Sequence, residues 1–352
     1  MLRDVVVVGA SAGGLNALRQ MVAYLPADLP ASVLVTTHLA PTVPSKVAVT
    51  LARAGAMPTV EAADGMPMTA GRIHTAVPDR HLVIDDHDVL RLTRGPRENR
   101  VRPAVDALFR SAARWCGPRV IAVVLSGSLD DGAAGLAAVV ECGGVGLVQD
   151  PQDAMFDGMP RAALAAVPGA VALPAAQLAR KITELAGRPV RTMPTGPSEA
   201  LIWETDMIRN GRSKIAQAGE FVGLGCPECG GGMRSVTNGN AVHFICHTGH
   251  SYSPTSFMAA RDDTIESAVW TALSAMQEKA TVLEDLAERA TRAGDAEGHL
   301  RHHSAAAEVN RAARLLQDQL LGGGPVRLAH EHGGRDAERP ATDRGRSAQA
   351  AG

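Results

Sequence analysis

The first half of the chain alternates short apolar runs with amphipathic stretches, up to about residue 187. Such an alternation is typical of a parallel sheet with helices on both of its faces. The apolar runs predict strands over residues 5–8, 33–36, 72–76, 81–84, 120–125 and 145–148. The amphipathic stretches predict helices that follow Gly13, Pro44, Arg102, Asp131, Pro160 and Ala175. We therefore expect an α/β fold with a doubly wound, mostly parallel sheet in three Rossmann-like layers, and further strands and turns inserted over residues 59–92.

The second half of the chain has a different pattern. Three prolines and a glycine over residues 188–199 predict a linker after a first domain of residues 1–187. A small zinc-ribbon-like module is then expected over residues 200–260, a C-terminal α-helical hairpin over 261–321 and a disordered tail over 322–352. The apolar residues at helical spacing in the hairpin either pack between its two helices or form a face for self-association.

The charge balance argues against several classes of function. The 352 residues include 35 Lys and Arg against 37 Asp and Glu, a net charge of -2, so no electrostatic attraction to nucleic acid or to an anionic membrane is expected. No apolar run approaches the roughly 20 residues that span a bilayer, and the first residues lack a signal-peptide pattern. We therefore expect a cytoplasmic protein without membrane insertion.

The strongest candidate for chemistry is Ser11, in the sequence GASAGG that follows the first valine run. A serine on a glycine-containing turn between a strand and a helix can expose its hydroxyl as a nucleophile. Serine needs a base, usually a histidine oriented by a carboxylate, and His38 and Asp131 each follow another predicted strand. Because the carboxyl ends of parallel strands meet at one edge of a sheet, these three side chains can converge.

Each of these residues also has an ordinary structural interpretation. Ser11 and Asp131 can be helix N-caps, and His38 can bond to backbone at the end of its strand. Asp130 competes with Asp131 as the carboxylate. A triad explains the three residues together, whereas the structural interpretations need a separate reason for each. Two other glycine-loop motifs fit poorly, because a dinucleotide fingerprint needs glycine where Ser11 stands and a P-loop needs lysine where Leu15 stands.

A second cluster of reactive side chains contains Cys226, Cys229 and Cys246, with His247 and His250 close behind. An odd number of cysteines that includes a Cys-x-x-Cys pair argues for metal binding rather than for disulfides. Four such ligands suit a tetrahedral, structural Zn²⁺, and either histidine can be the fourth. The alternative is a metal-free turn with reduced thiols.

Residues 5–186 carry six motifs in order, with which they resemble the catalytic domain of the CheB-type chemotaxis methylesterases. The motifs are GASAGG at 9–14, THLAP at 37–41, AVPDRH at 76–81, GPRENRVRPAVDALFRSAA at 95–113, LSGSLDDGAAG at 125–135 and DGMPRAAL at 157–164. The resemblance implies that Ser11 is the nucleophile, His38 the general base and then acid, and Asp131 the orienting carboxylate. It also implies oxyanion donors at the backbone amides near Ala12 and Ser128, and no cofactor for catalysis.

The chain departs from this family in several ways. Ala12 stands where the family typically has threonine, and Ser128-Leu129 where it has a methionine-glycine pair. The receiver domain that usually precedes the catalytic unit is not seen, so the usual phosphorylation control is not expected. The resemblance to zinc-ribbon tails on stand-alone members favours His250 as the fourth ligand. Residues 97–102 and 110–114 are rich in arginine and form either a solvated helix face or a docking surface for an acidic receptor helix.

The resemblance implies a protein-glutamate methylesterase that hydrolyses glutamate methyl esters on methyl-accepting chemoreceptors, in adaptation of a chemotaxis-like signalling system. Family relatives can also deamidate glutamine. Two alternatives stay open: a non-catalytic signalling scaffold built on an esterase domain, and an esterase for small molecules. Nucleic acid is not an expected partner, and self-association through the C-terminal helices is an open prediction.

Overall fold

The computed structural model describes residues 1–190 and 196–321. The chain divides into two compact units, Met1–Arg261 and Asp262–Gly352. Part of the predicted linker and the whole predicted tail lie outside the described residues.

The first unit contains every strand of the described chain. The strands are β1 (Val5–Ala10), β2 (Ser32–Thr37), β3 (Thr59–Glu61), β4 (Arg72–Thr75), β5 (His81–Ile84), β6 (Leu90–Thr93), β7 (Val120–Val124), β8 (Val145–Gln149), β9 (Val171–Leu173), β10 (Glu220–Gly225), β11 (Gly232–Asn238), β12 (Ala241–Cys246) and β13 (Ser251–Tyr252). The α-helices are α1 (Gly14–Val22), α2 (Val47–Ala54), α3 (Val105–Cys116), α4 (Ala133–Glu141), α5 (Gly158–Ala166), α6 (Ala175–Leu185), α7 (Glu199–Asn210), α8 (Pro254–Arg292) and α9 (Ala296–Leu321).

Seven strands form a parallel sheet in the order β3-β4-β2-β1-β7-β8-β9. The valines of β1 are fully buried, because helices cover both faces of the sheet. Val6 and Val8 belong to the core that holds α1 and α6, and Val5 and Val7 to the core that holds α3 and α4. The predicted α/β fold with a doubly wound parallel sheet is therefore confirmed.

The short strands are where the sequence pattern was least informative. The sheet edges β3 and β9 have three residues each, too few to show a periodicity. Over residues 59–92, β3 and β4 join the main sheet, whereas β5 and β6 form a separate antiparallel pair. Helix α7 was not predicted, because it follows directly on the proline-rich segment that pointed to a linker.

A four-stranded antiparallel sheet, β10-β11-β12-β13, follows α7 within the first unit. We call residues 199–261, which include α7 and this sheet, the C-terminal module. Its small core contains Met233, Tyr252 and Phe257 beside Cys226 and Cys246. A core of this size favours a further stabilising element such as a metal ion.

The described part of the second unit continues α8 and adds α9. The buried seam positions are Leu273, Ala280 and Ala287 on α8, and Ala306 and Ala313 on α9. Their seven-residue spacing is that of a coiled-coil seam. Other apolar residues of the two helices are exposed, among them Val282, Leu300 and Leu315. Among the described residues, no helix is both long and apolar enough to cross a membrane.

Candidate active site

Three neighbouring strands of the parallel sheet bring the candidate triad together. Ser11 follows β1 and His38 follows β2, while Asp131 lies in the loop between β7 and α4. The order β2-β1-β7 makes these strands adjacent. Successive strands are added on one side of β1 up to β3 and β4 and on its other side from β7 onward, so the strand order reverses between β1 and β7. Such a switch point opens a crevice at the carboxyl ends of the strands.

The three side chains form a continuous hydrogen-bonded series. Ser11 Oγ lies 2.8 Å from His38 Nδ1, and His38 Nε2 lies 2.7 Å from Asp131 Oδ2. In the tautomer with its proton on Nε2, the ring donates to Asp131 and accepts from the Ser11 hydroxyl. The His38 side chain is 23% exposed and that of Asp131 is 2% exposed, so the series runs from the surface inward.

The turn after β1 explains how Ser11 reaches this position. Gly13 has a φ of 68°, a conformation that glycine adopts without strain. The Ser11 amide donates to the carbonyl of Ser126 at 2.9 Å, and the Gly14 amide donates to the carbonyl of Ser11 at 2.9 Å. The turn is thereby tied to the end of β7, and the Ser11 side chain points toward His38.

Asp131 lies at the N-terminus of α3. Its carboxylate accepts the backbone amides of Val105 at 2.7 Å and Asp106 at 3.1 Å, and also the side-chain amide of Asn99 at 3.2 Å. Burial alone would raise the pKa of Asp131, but hydrogen bonds from His38 and from the two amides hold it below its ordinary value. The carboxylate is therefore ionised beside His38.

The ordinary structural interpretations of these residues are wrong. The helices that follow Ser11 and Asp131 begin after Gly13 and Gly132, and neither helix receives a side-chain cap. Asp131 instead caps α3, from another part of the chain. His38 bonds to Ser11 and Asp131 through its two ring nitrogens.

The loop after β7 supplies the other wall of the site. A Cβ built on Gly127 would lie 2.9 Å from Ser11 Cβ and 2.0 Å from Met159 Sδ. Within residues 1–190 and 196–321, the backbone amides of Ala12 and Ser128 donate no hydrogen bond to the protein. Both amides therefore stay candidates for the oxyanion donors that the sequence analysis predicts. The role of Gly127 cannot be found from the sequence, because only its close packing against Ser11 and Met159 reveals it.

The second arginine-rich segment, residues 110–114, does not form an open surface, whereas Arg97 and Arg100 of the first segment are exposed. Arg110 is buried and pairs with Glu98 and Glu204, and Arg114 Nη1 lies 2.6 Å from Asp206 Oδ1. For these two arginines, both interpretations of the sequence, a solvated face and a receptor docking surface, are wrong. Their acidic partners Glu204 and Asp206 lie on α7, in the segment that the sequence pattern assigned to the zinc-ribbon-like module.

The cysteine cluster lies in the C-terminal module. The ligand atoms of Cys226, Cys229, Cys246 and His250 all lie within 4.8 Å of one another, whereas His247 is outside the group. Cys229 Sγ lies 3.7 Å from Cys246 Sγ, and His250 Nδ1 lies 3.7 Å from the sulfur atoms of Cys226 and Cys246. Ligands about 2.3 Å from a tetrahedral Zn²⁺ stand about 3.8 Å apart, so both the donor set and its spacing fit zinc.

Comparisons with known proteins match the first half of the chain to one family. A family model described as CheB methylesterase matches residues 6–182. A protein-glutamate methylesterase/protein-glutamine glutaminase of Symbiobacterium thermophilum is 36% identical over 185 residues, which are 53% of this chain and 51% of that protein. A second such protein, of Anaeromyxobacter dehalogenans, is 40% identical over 184 residues, 52% of this chain and 53% of its own length. The chain thus spans about half the length of the curated relatives it matches.

Among solved structures, the crystal structure of the Thermotoga maritima CheB methylesterase catalytic domain is similar to this chain. The two have a TM-score of 0.51 and 30% sequence identity, and the match covers 53% of this chain and 100% of that one. The part of the chain after residue 182 lies outside the family match.

Proposed function

Since the chain belongs to the CheB methylesterase family, we propose that it is a protein-glutamate methylesterase that acts on methyl-accepting chemoreceptors. The observation that carries the proposal is the series from Ser11 through His38 to Asp131, with contacts of 2.8 and 2.7 Å. The names of the similar proteins, which include protein-glutamine glutaminase, support deamidation of glutamine as a second reaction of the same site.

In the proposed reaction, Ser11 Oγ attacks the carbonyl carbon of the glutamate methyl ester and gives its proton to His38 Nδ1. Asp131 holds the Nε2 proton of the ring and stabilises the imidazolium that forms. The amides of Ala12 and Ser128 face the oxyanion of the tetrahedral intermediate. His38 then gives this proton to the oxygen of the methoxide group, which departs as methanol. The glutamyl group stays bound to Ser11 as an acyl-enzyme.

Water completes the reaction. His38 Nδ1 takes a proton from the water that attacks the acyl-enzyme, and returns it to Ser11 Oγ as the ester bond breaks. The products are the receptor glutamate and the regenerated serine. Every step uses side chains and backbone amides of this chain and one water molecule.

The experiment is release of methanol from a methylated chemoreceptor fragment by wild type and by Ser11→Ala. Serine-dependent release is the expected result, and the matched control Ser304→Ala, an exposed serine on α9, should retain the wild-type rate. Release by Ser11→Ala at the wild-type rate would overturn the mechanism. Hydrolysis of simple esters without release of methanol from the receptor fragment would overturn the proposed substrate.

The proposal also assigns a structural Zn²⁺ to Cys226, Cys229, Cys246 and His250. Four protein ligands leave no open position for a substrate, so the ion would hold the C-terminal module together rather than take part in hydrolysis. His250 Nε2 lies 3.1 Å from Glu228 Oε2, an arrangement that orients a metal-bound histidine.

Metal analysis of the purified chain tests this assignment. We expect one zinc per chain in wild type and in His247→Ala, and a loss of zinc in His250→Ala and Cys229→Ser. Zinc lost from His247→Ala but kept by His250→Ala would make His247 the fourth ligand. Wild type without metal would overturn the assignment.

A further inference from the structure

One asparagine joins the C-terminal module to the triad carboxylate. The side-chain Nδ2 of Asn99 donates to Asp131 Oδ1 at 3.2 Å and to Asp106 Oδ2 at 3.0 Å. Its Oδ1 accepts the backbone amide of Ser253 at 2.9 Å and the hydroxyl of Ser256 at 2.8 Å. All four hydrogen-bonding positions of this amide are therefore used.

The segment that reaches Asn99 also binds the residue next to Asp131. The backbone amide of Asn99 donates to the carbonyl of Ser251 at 2.8 Å, and Glu98 forms an isolated parallel β-bridge with Ser251. The Ser253 hydroxyl donates to Asp130 Oδ1 at 2.6 Å. Residues 251–256 thus contact both the asparagine that binds Asp131 and the chain neighbour of Asp131.

A buried ionic network holds the module in this position. Arg110 on α3 pairs with Glu98 and lies 3.0 Å from Glu204 on α7, and Glu204 lies 2.8 Å from His243 Nε2 on β12. All four side chains are buried. Because a buried charge without its partner is costly, the network favours a single position of the module against α3.

Asp131 needs such support because a second carboxylate lies beside it. Burial and the nearby charge of Asp131 raise the pKa of Asp106 well above its ordinary value. Asn99 donates one proton to each carboxylate and stands between them. Asn99 has a φ of 49°, a left-handed conformation that asparagine tolerates, and its four hydrogen bonds set the direction of the side-chain amide.

We propose that Asn99, Ser253 and Ser256 are positioning residues of the esterase, through which the C-terminal module holds Asp131 against His38. The inference rests on the proposed function, because it takes Ser11 to be the nucleophile. The module then acts on catalysis indirectly, because the triad has its working geometry only when residues 251–256 are bound to Asn99.

The test measures how fast a fluorophosphonate probe labels Ser11 in the full chain, together with kcat and KM for a small activated ester. Ser256→Ala removes one donor to Asn99, and Asn99→Asp puts a third carboxylate against Asp131 and Asp106. We expect labelling and kcat to fall about tenfold or more with KM unchanged, since a misplacement of about 1 Å can cost on the order of 100-fold. Ser253→Ala removes the hydroxyl that binds Asp130, and we expect Ser253→Thr, which keeps that hydroxyl, to recover most of the labelling rate that Ser253→Ala loses.

Ser111→Ala is the matched control for lost stability. Ser111 is also a buried serine, but its hydroxyl bonds to Ile84 and Leu108 rather than to Asn99. This variant should lower the melting temperature without lowering the rate at which the probe labels Ser11. Equal slowing in Ser111→Ala and Ser256→Ala, or a wild-type rate in Ser256→Ala and Asn99→Asp, would overturn the inference.

The same data separate this inference from the proposed function. If the probe labels Ser11 of the wild type rapidly and that of the variants slowly, the positioning role is supported, even if a methylated receptor fragment releases no methanol. A wild type that does not label at all would overturn the proposed function and, with it, the inference.

Discussion

Asp130 and Asp131 are consecutive in the chain, yet their carboxylates bind different parts of the molecule. Asp131 Oδ2 lies 2.7 Å from His38 Nε2, whereas Asp130 Oδ1 accepts the hydroxyl of Ser253 at 2.6 Å. Leu129 and Gly132, on either side of the pair, have φ values of 60° and 94°. The turn therefore sends one carboxylate to the triad and the other to the C-terminal module.

Substitution of these two aspartates should have unequal effects. Asp131→Asn removes the charge that stabilises the imidazolium, so we expect kcat to fall on the order of 10³- to 10⁴-fold. Asp130→Asn keeps an acceptor for Ser253 and should stay within about tenfold of wild type, a smaller loss than that of the triad carboxylate. The measurement is ester hydrolysis at equal protein concentration, and a larger loss in Asp130→Asn would make that residue the triad carboxylate.

Gly127→Ala should damage the site without a change of charge. The added Cβ would lie 2.0 Å from Met159 Sδ and 2.9 Å from Ser11 Cβ, so the loop or the serine must move. We expect a loss of about 1–3 kcal/mol in the free energy of unfolding from overpacking, and a fall in probe labelling of Ser11. The control is Gly169→Ala, because nothing lies within 4 Å of a Cβ at that position. Wild-type labelling of Gly127→Ala would show that the loop yields without disturbing Ser11.

His81 should make the protein acid-sensitive. Burial lowers the pKa of His81 from 6.5 to about 4, against a hydrogen bond to the carbonyl of Pro96 that raises it. The unfolded state takes up the proton first as pH falls, so stability present above about pH 6.5 is lost progressively down to about pH 4, by about 3 kcal/mol in total.

Urea unfolding of His81→Gln and wild type at several pH values measures this contribution. The variant should be less stable at pH 7, and its difference from wild type should shrink as pH falls through this window. His87→Gln is the control, because the His87 side chain is 83% exposed. A difference between His81→Gln and wild type that is constant with pH would contradict the prediction.

Metal removal should slow the esterase through the C-terminal module. His250 immediately precedes the segment 251–256 that binds Asn99, so loss of the proposed zinc should loosen that segment. We expect a chelator to lower both the melting temperature and the rate of Ser11 labelling, with recovery when zinc is restored. Cys142→Ser, outside the cluster, should respond to chelator as wild type does. Loss of zinc with an unchanged labelling rate would show that the segment holds without the ion.

Arg110 should contribute more to stability than any exposed arginine pair. Arg110→Met leaves Glu98 and Glu204 buried without their cation, so we expect a loss of about 3–5 kcal/mol in the free energy of unfolding. Arg161→Met, which breaks an exposed pair with Asp157, should cost less than about 1 kcal/mol. Urea denaturation compares the two, and similar losses would mean that the network is not a stabilising contact.

The sequence by itself determined the parallel sheet and the positions of Ser11 and His38 at the ends of its strands. These features can be predicted from short segments of sequence, because a strand buried between two helix layers is apolar on both faces and therefore forms a continuous apolar run. The ligand spacing of Cys226 and Cys229 is local in the same sense, since two thiolates on one turn can face one ion.

Only the tertiary structure decided what surrounds these residues. Arg110 sits in an arginine-rich stretch that gives no sign of burial, because its partner Glu204 lies on a helix far along the chain. Asn99 lies in the motif at residues 95–113, but its role cannot be predicted from that motif, since it depends on the four groups packed around the side-chain amide. Local patterns report which face of an element is buried, whereas the partner of a buried polar group depends on which distant segment is packed against it.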